Sequence, residues 1–217
     1  MSPKDRPLVL ATRNPGKIRE MRQVLAGLSL RVVDLGEFPQ IPQPHETGAT
    51  FAQNARQKAL YYAGATGLWC LADDSGLVVD ALGGAPGVHS ARYAADACPS
   101  GADRKTIDAA NNARLLAELC DVPPERRTAR FVCHLALADP QAVLLETSDT
   151  VEGRIGCQER GKNGFGYDPL FFLPEYNCTA AQLPSQEKNK ISHRGKAVRH
   201  FVALLTEMLA KADSQKP

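Results

Sequence analysis

Leu71-Ala72-Asp73-Asp74-Ser75-Gly76-Leu77 sets two adjacent carboxylates, a hydroxyl and a glycine between two apolar runs, Leu68 to Ala72 and Leu77 to Val79. The pattern predicts a strand ending in a tight turn, with a second strand leaving it. Carboxylates at a strand end suit a hard cation such as Mg²⁺, which takes oxygen ligands and usually keeps several waters. One of them could also polarise a water for attack. A solvated turn accounts for the same residues, because Asp, Ser and Gly all favour turns. The surrounding chain has to decide.

Upstream, Leu8 to Ala11 reads as a short buried strand of a parallel or central position. It runs into Thr12-Arg13-Asn14-Pro15-Gly16-Lys17, after which Ile18, Met21, Val24 and Leu25 recur at helical spacing. A loop feeding a helix N-terminus offers backbone N–H groups to an anion, and Lys17 adds a full charge. A helix-capping turn would look the same. It is not a Walker loop, since one glycine precedes Lys17 and Ile18 stands where a hydroxyl would meet Mg²⁺. Arg31 to Leu35 is a second strand. Pro39, Pro42 and Pro44 then give a semi-rigid loop ending in His45-Glu46-Thr47-Gly48. Thr50 with Gln53 fits a capping box for a helix whose buried stripe is Phe51, Ala55, Ala59 and Ala63. Asn54 and Lys58, four apart, share one face. Lys58 is either a solvated lysine or a second phosphate-facing cation.

Downstream, Gly83-Gly84-Ala85-Pro86-Gly87 makes a shaped loop, and Arg92 shortly after it is a candidate anion ligand. Asp103 to Leu119 reads as a helix. Arg130 to Ala138 and Ala142 to Val151 read as strands joined in a hairpin through Asp139-Pro140. Helices mixed with strands and one hairpin imply a mixed α/β sheet. In Gly164-Phe165-Gly166-Tyr167-Asp168-Pro169, glycines flanking two aromatics let backbone approach a flat ligand while a ring stacks on it. Leu170 to Leu173 follows as a strand. The closing helix carries Phe201, Leu204, Leu205, Met208 and Leu209 as a core stripe, with a frayed tail from Ala212.

With 217 residues, the chain is expected to form a single domain of two lobes with an ordered core over about 8–210. Its net charge of +2 and scattered basic residues favour a small anionic ligand over nucleic acid. No apolar run approaches a membrane span and the N-terminal one is too short for a signal peptide, so the expected location is cytoplasmic. The six cysteines include no Cys-x-x-Cys pair, which argues against structural zinc and a disulfide framework. Cys70 and Cys133, inside apolar runs, are expected to be small core residues.

Taken in order, Ala11-Thr12-Arg13-Asn14-Pro15-Gly16-Lys17, Glu46-Thr47-Gly48, Asn54-Ala55-x-x-Lys58-Ala59, Ala72-Asp73-Asp74-Ser75-Gly76-Leu77, Gly84-Ala85-Pro86-Gly87, Ser90-Ala91-Arg92-Tyr93, Phe165-Gly166-Tyr167-Asp168-Pro169 and Ser192-His193-Arg194-Gly195 closely resemble the inosine triphosphate pyrophosphatase family. The resemblance runs from Leu8 to about Leu209. It implies a homodimeric α/β protein with an elongated central mixed sheet flanked by helices, and an active site in the cleft between two lobes. It also implies hydrolysis of ITP, dITP and XTP to the monophosphate and pyrophosphate with Mg²⁺, Mn²⁺ being a substitute. The substrate would be a small nucleoside triphosphate, with no nucleic-acid or membrane partner.

Residue by residue, the phosphate loop carries over to Thr12, Asn14, Pro15, Gly16 and Lys17, and phosphate-side contacts to Lys58 and Ser75. The metal site carries over to Glu46 and Asp74, with Asp73 as second-shell group or further ligand, and Asp74 also matches the general base. Phe165, Gly166, Tyr167, Asp168, Lys188, His193 and Arg194 match the residues around the base. Hypoxanthine and xanthine carry an O6 acceptor where adenine has an amino donor. Donors from Arg194 and His193, with Lys188 nearby, would therefore favour the deaminated purines. Many family members have a small residue where this chain has Arg13, whose side chain could reach a phosphate or point to water. Two competing functions remain: a nucleotide-sensing module without chemistry, and a phosphatase releasing orthophosphate. The cleft carboxylates argue against the first, and the lack of an Asp-x-Asp spacing against the second.

Overall fold

The computed structural model describes residues 7–214. Its seven strands form one mixed sheet in the order β2-β1-β3-β4-β5-β6-β7. In chain order these are β1 (Leu8–Leu10), β2 (Val32–Asp34), β3 (Trp69–Val79), β4 (Thr128–Ala138), β5 (Val143–Ile155), β6 (Phe171–Leu173) and β7 (Cys178–Thr179). The helices are α1 (Pro15–Leu25), α2 (Phe51–Thr66), α3 (Arg104–Glu118), α4 (Ser185–Ile191) and α5 (His193–Ser214). As expected, β1 is central and parallel, pairing with β2 on one side and β3 on the other. Strands β5, β6 and β7 pair antiparallel. None of the described helices is long and apolar enough to cross a membrane.

The chain divides into two compact units, one of Met1–Asp74, Cys133–Asp149 and His193–Pro217, the other of Ser75–Val132 and Thr150–Ser192. In the first unit the pleat sorts the side chains onto two faces. Leu8, Leu10, Trp69, Leu71, Cys133, Leu135 and Leu137 pack with Met21 and Leu25 of α1 and with Ala197, Val198, Phe201 and Leu205 of α5. The alternate positions Val9, Ala11, Cys70, Ala72, Ala136 and Ala138 pack with Ala55, Ala59, Tyr62 and Ala63 of α2. Alanines on both sides of that second contact let α2 lie close to the sheet. Its start is fixed by the Thr50–Gln53 capping box and its end by Gly67, in the left-handed region at φ 71°. In the second unit, Leu115 of α3 and Leu119, just past its end, pack with Leu77, Val79, Phe131, Ile155, Tyr167, Leu170 and Phe171.

Two readings of the sequence need correction. The Asp-Asp-Ser-Gly stretch is no turn: β3 runs unbroken from Trp69 to Val79, and Gly76 has no left-handed φ. The carboxylates need no water-exposed turn because cations on either face of the strand satisfy them. In α5, Phe201 and Leu205 are fully buried but Leu204 is 39% exposed, so the apolar stripe is narrower than its spacing implied. Helix α5 continues to Ser214, and the expected tail residues 1–6 and 215–217 lie outside the described ones.

Candidate active site

Adjacent strand residues point to opposite faces, so Asp73 and Asp74 meet different neighbours. Asp73 follows Trp69 and Leu71 onto the face covered by α1 and α5. There Lys17 of α1 pairs with its Oδ1, and Arg194 Nε of α5 donates to its Oδ2 at 2.7 Å. Cys133 of β4 also donates to Oδ2, at 3.2 Å, and Arg194 extends through Nη1 to the carboxylate of Glu20. Glu20 lies one turn beyond Lys17 on the same face of α1. The group Lys17–Asp73–Arg194–Glu20 is thus a charge-balanced buried network. Burial works to raise the Asp73 carboxyl, but Arg194 and Lys17 hold it well below the usual carboxylate range.

Asp74 faces α2. Lys58 Nζ donates to Asp74 Oδ1 at 2.8 Å and pairs with Glu46 Oε1 at 2.9 Å, so one ammonium is shared by two carboxylates. Asn54 Nδ2 donates to Asp74 Oδ2 at 3.1 Å. Asn54 and Lys58, one turn apart, therefore take one oxygen each. Burial pushes the Asp74 carboxyl above its usual range, and Lys58 and Lys17 offset this only in part. Lys58 stays charged: burial opposes the charge, but Asp74 and Glu46 outweigh it and raise its pKa. The loop carrying Glu46 is tied to the same helix. Gly48 N–H donates to Asn54 Oδ1 at 2.8 Å, and Gln57 Nε2 to Thr47 Oγ1 at 3.3 Å.

The Glu46–Lys58–Asp74 group sets two carboxylates, hard oxygen donors, around one ammonium, which suits a divalent cation. Among the described residues no three His, Cys, Asp or Glu side chains form a ready cage. Mg²⁺ needs none, since it commonly binds through one or two carboxylates plus waters and substrate phosphates. Asp73 does not join that set. Both its oxygens are engaged by cations on the opposite face of β3.

At the first loop, Asn14 caps α1, its Oδ1 accepting from Gly16 N–H at 2.9 Å and Lys17 N–H at 3.3 Å. The Gly16 and Lys17 N–H groups are thereby capped from within, and the Thr12 hydroxyl, Asn14 Nδ2 and the two lysines are the side-chain donors around the loop. Lys17 and Lys58 both approach the Asp73 carbonyl oxygen, at 3.5 and 2.8 Å, which makes their ammonium groups neighbours. Arg13 is exposed, and its side chain runs along the surface to the loop before α2. Its Nη2 donates to the Ile41 carbonyl at 2.7 Å, beside Tyr62, and so braces the Pro-rich loop. Pro15 serves α1 as its first residue.

In the second unit, Asp168 Oδ2 accepts from Phe165 N–H at 2.8 Å and pairs with Lys188, buried on α4. Lys188 Nζ lies 5.0 Å from the centre of the Phe165 ring, in cation–π range. Gly164, at φ 76°, has no room for a Cβ, which would overlap the Asp168 carboxylate. Phe165, Asp168 and Lys188 thus form one group: an aromatic face with a charge pair at its edge. Tyr167 is buried, its hydroxyl donating to the Ser90 carbonyl at 2.9 Å, so it supports the loop and offers no stacking face. Arg92 is exposed and Ser75 half-buried.

Arg194 and His193, expected at the base, open α5 in the first unit, both buried. Arg194 is committed to Asp73 and Glu20, so its charge serves the network beneath β3. Sequence reasoning missed Glu20 and Cys133 as members of these groups, and placed Asn54 beside Lys58 without giving it a role. The four-residue spacing of Asn54 to Lys58 and the three-residue spacing of Lys17 to Glu20 were the available signals; Cys133 had none. Helix α4 was also missed, although Glu187 early and Lys190 late suit its dipole.

The fold and the two groups define a mixed-sheet α/β protein with a lysine–carboxylate centre in one unit and an aromatic, charge-edged loop in the other. The profile of the Ham1 family matches residues 8–204, and the chain belongs to that family. It is 49% identical over 204 residues to the dITP/XTP pyrophosphatase of Exiguobacterium sibiricum, spanning 94% of this chain and 99% of that protein. To the dITP/XTP pyrophosphatase of Geobacter sulfurreducens it is 50% identical over 191 residues, 88% of this chain and 92% of the other. Among solved structures, a HAM1 protein from Coxiella burnetii is similar with a TM-score of 0.80 and 43% identity, covering 93% of this chain and 98% of that one.

Proposed function

We propose that this chain hydrolyses the triphosphates of deaminated purines, ITP, dITP and XTP, to the monophosphate and pyrophosphate. The observation that carries the reading is the Lys58 ammonium shared by Glu46 and Asp74, with the Asp74 carboxyl raised by burial. Asp74, held between Lys58 and Asn54, is placed to take a proton from water, whereas both oxygens of Asp73 are engaged by Lys17 and Arg194 on the other face of β3. The names of the relatives support the substrate class.

In this mechanism, water attacks the α-phosphorus and gives its proton to Asp74 as the bond to the bridging oxygen breaks and pyrophosphate leaves. Lys17 and Lys58 neutralise the leaving group, while Thr12 and Asn14 fix its register. Glu46 and Asp74 would hold Mg²⁺, or Mn²⁺ in its place, which when bound neutralises phosphate oxygens and lowers the pKa of its waters. Phe165 stacks on the purine, and Lys188, held by Asp168, donates toward O6, where adenine would oppose donor with donor. The protein works as a cytoplasmic homodimer, and its scattered basic residues support a free nucleotide over nucleic acid as substrate.

The test assays pyrophosphate and orthophosphate separately from dITP, dGTP and dATP, with and without Mg²⁺. Pyrophosphate from dITP, dependent on Mg²⁺ and reduced roughly 10²–10⁴-fold in Asp74→Asn, is the expected result. Orthophosphate as product, or full activity in that variant, refutes the reading.

A further inference from the structure

Asp108 and Asn112 stand four residues apart on α3, so their side chains leave the same face of the helix. Both grip Gly166. Its N–H donates to Asp108 Oδ2 at 3.0 Å, and Asn112 Nδ2 donates to its carbonyl at 3.2 Å. The left-handed φ of 62° at Gly166, costly for other residues, belongs to this doubly held turn. The two side chains are themselves anchored. Asp108 Oδ1 pairs with Arg104 at 2.8 Å, and Asn112 Nδ2 also donates to Glu159 at 2.9 Å.

Asn111, next along the helix, does the same for the neighbouring loop. It accepts from Ala94 N–H at 2.7 Å and donates at 3.3 Å to the Ser90 carbonyl, which also receives the Tyr167 hydroxyl. Asn111 and Asn112 are 1% and 4% exposed. Asparagine and aspartate inside a helix cost propensity and desolvation. Here each is spent on backbone of the loops on either side, and the Gly166 contacts lie next to Phe165.

We propose that Asp108 and Asn112 are positioning residues for purine selection: they fix the backbone of Gly166 and thereby the Phe165 ring offered to the base. The inference rests on the assignment of Phe165 to the purine. Losing one clamp lets Phe165 sample other orientations, which weakens base binding while leaving the phosphate chemistry of the first unit alone.

The experiment combines steady-state kinetics on dITP and dATP with amide hydrogen exchange over residues 164–168, on the full chain. For Asp108→Ala and Asn112→Ala we expect KM for dITP to rise about 3- to 10-fold with kcat changed less than about twofold, and the dITP preference over dATP to shrink. Exchange over the loop should be faster in both. Asp108→Asn keeps an acceptor for Gly166 N–H without the charge and should restore parental KM and exchange. Parental exchange in both alanine variants overturns the clamp. Faster exchange with unchanged KM and selectivity in an active enzyme overturns the role in purine selection. A wild type releasing no pyrophosphate from dITP defeats the proposed function instead, and exchange then decides the clamp by itself.

Discussion

Replacing Arg194 by methionine should destabilise the protein far more than it alters nucleotide preference. Methionine fills most of the volume of the arginine stem, so the cavity contribution is small. The electrostatic one is large. Arg194 is 2% exposed, and its guanidinium bonds Asp73 at 2.7 Å and also the buried Glu20. Without it Asp73 keeps Lys17, but Glu20 loses this buried cationic partner. Removing one member of a buried ion pair costs about 3–5 kcal/mol. With a urea m value near 3 kcal/mol/M for a chain of this size, the unfolding midpoint should fall by about 1–2 M. Pairing the change with Glu20→Met removes the buried carboxylate that Arg194 bonds and should recover at least half of the loss, because an ion pair replaced whole by apolar groups is often neutral. The assay is urea unfolding followed by far-UV circular dichroism on both variants and the parent. An Arg194→Met midpoint within about 0.2 M of the parent, which is about 0.6 kcal/mol at that m value, would refute the network. If the same variant lost its preference for dITP over dATP, Arg194 would return to the base.

Two further outcomes follow from the same groups. The Asp73 carboxyl lies well below its unfolded value, so its contribution is fully present above the unfolded carboxylate pKa and is lost as pH falls through the folded one. Urea midpoints measured from pH 7 down into the acid range should therefore decline less steeply in Asp73→Asn, which starts lower; parallel curves would contradict the assignment. Among the cysteines, Cys120 and Cys157 are exposed, whereas Cys70 and Cys133 are buried. Burial lifts the Cys70 thiol to about 11, and burial beside Asp73 lifts Cys133 as well. A thiol-specific reagent at pH 8 should modify Cys120 and Cys157 quickly and the other two only on unfolding, as read by peptide mass spectrometry.

Much of this was legible because the signals are local. The capping box at Thr50, the parallel apolar β1, the hairpin through Asp139-Pro140 and the i, i+4 pairing of Asn54 with Lys58 each need only a few neighbouring residues. Asp73 and Asp74 were misread as a turn because what satisfies Asp73 arrives from afar: Arg194 lies 121 residues away and Lys17 lies 56. Without those partners, two adjacent carboxylates in an apolar strand are too expensive to predict. The direction of Arg13 stayed open for the same reason, since the Ile41 carbonyl that it bonds sits 28 residues on. Leu204 fits the helical period as well as Leu205 does, and only the width of the packed contact tells them apart.

The unbroken course of β3 makes the division of labour between the two aspartates a matter of parity. From Trp69 to Asp74 the odd positions face α1 and α5 and the even positions face α2. Deleting or inserting a single residue between Trp69 and Ala72 would therefore exchange both carboxylates at once, turning Asp74 toward Arg194 and Asp73 toward Lys58. A change of two residues would keep each on its own side. The strand tolerates a shift in length only in even steps, and its chemistry is written in the count.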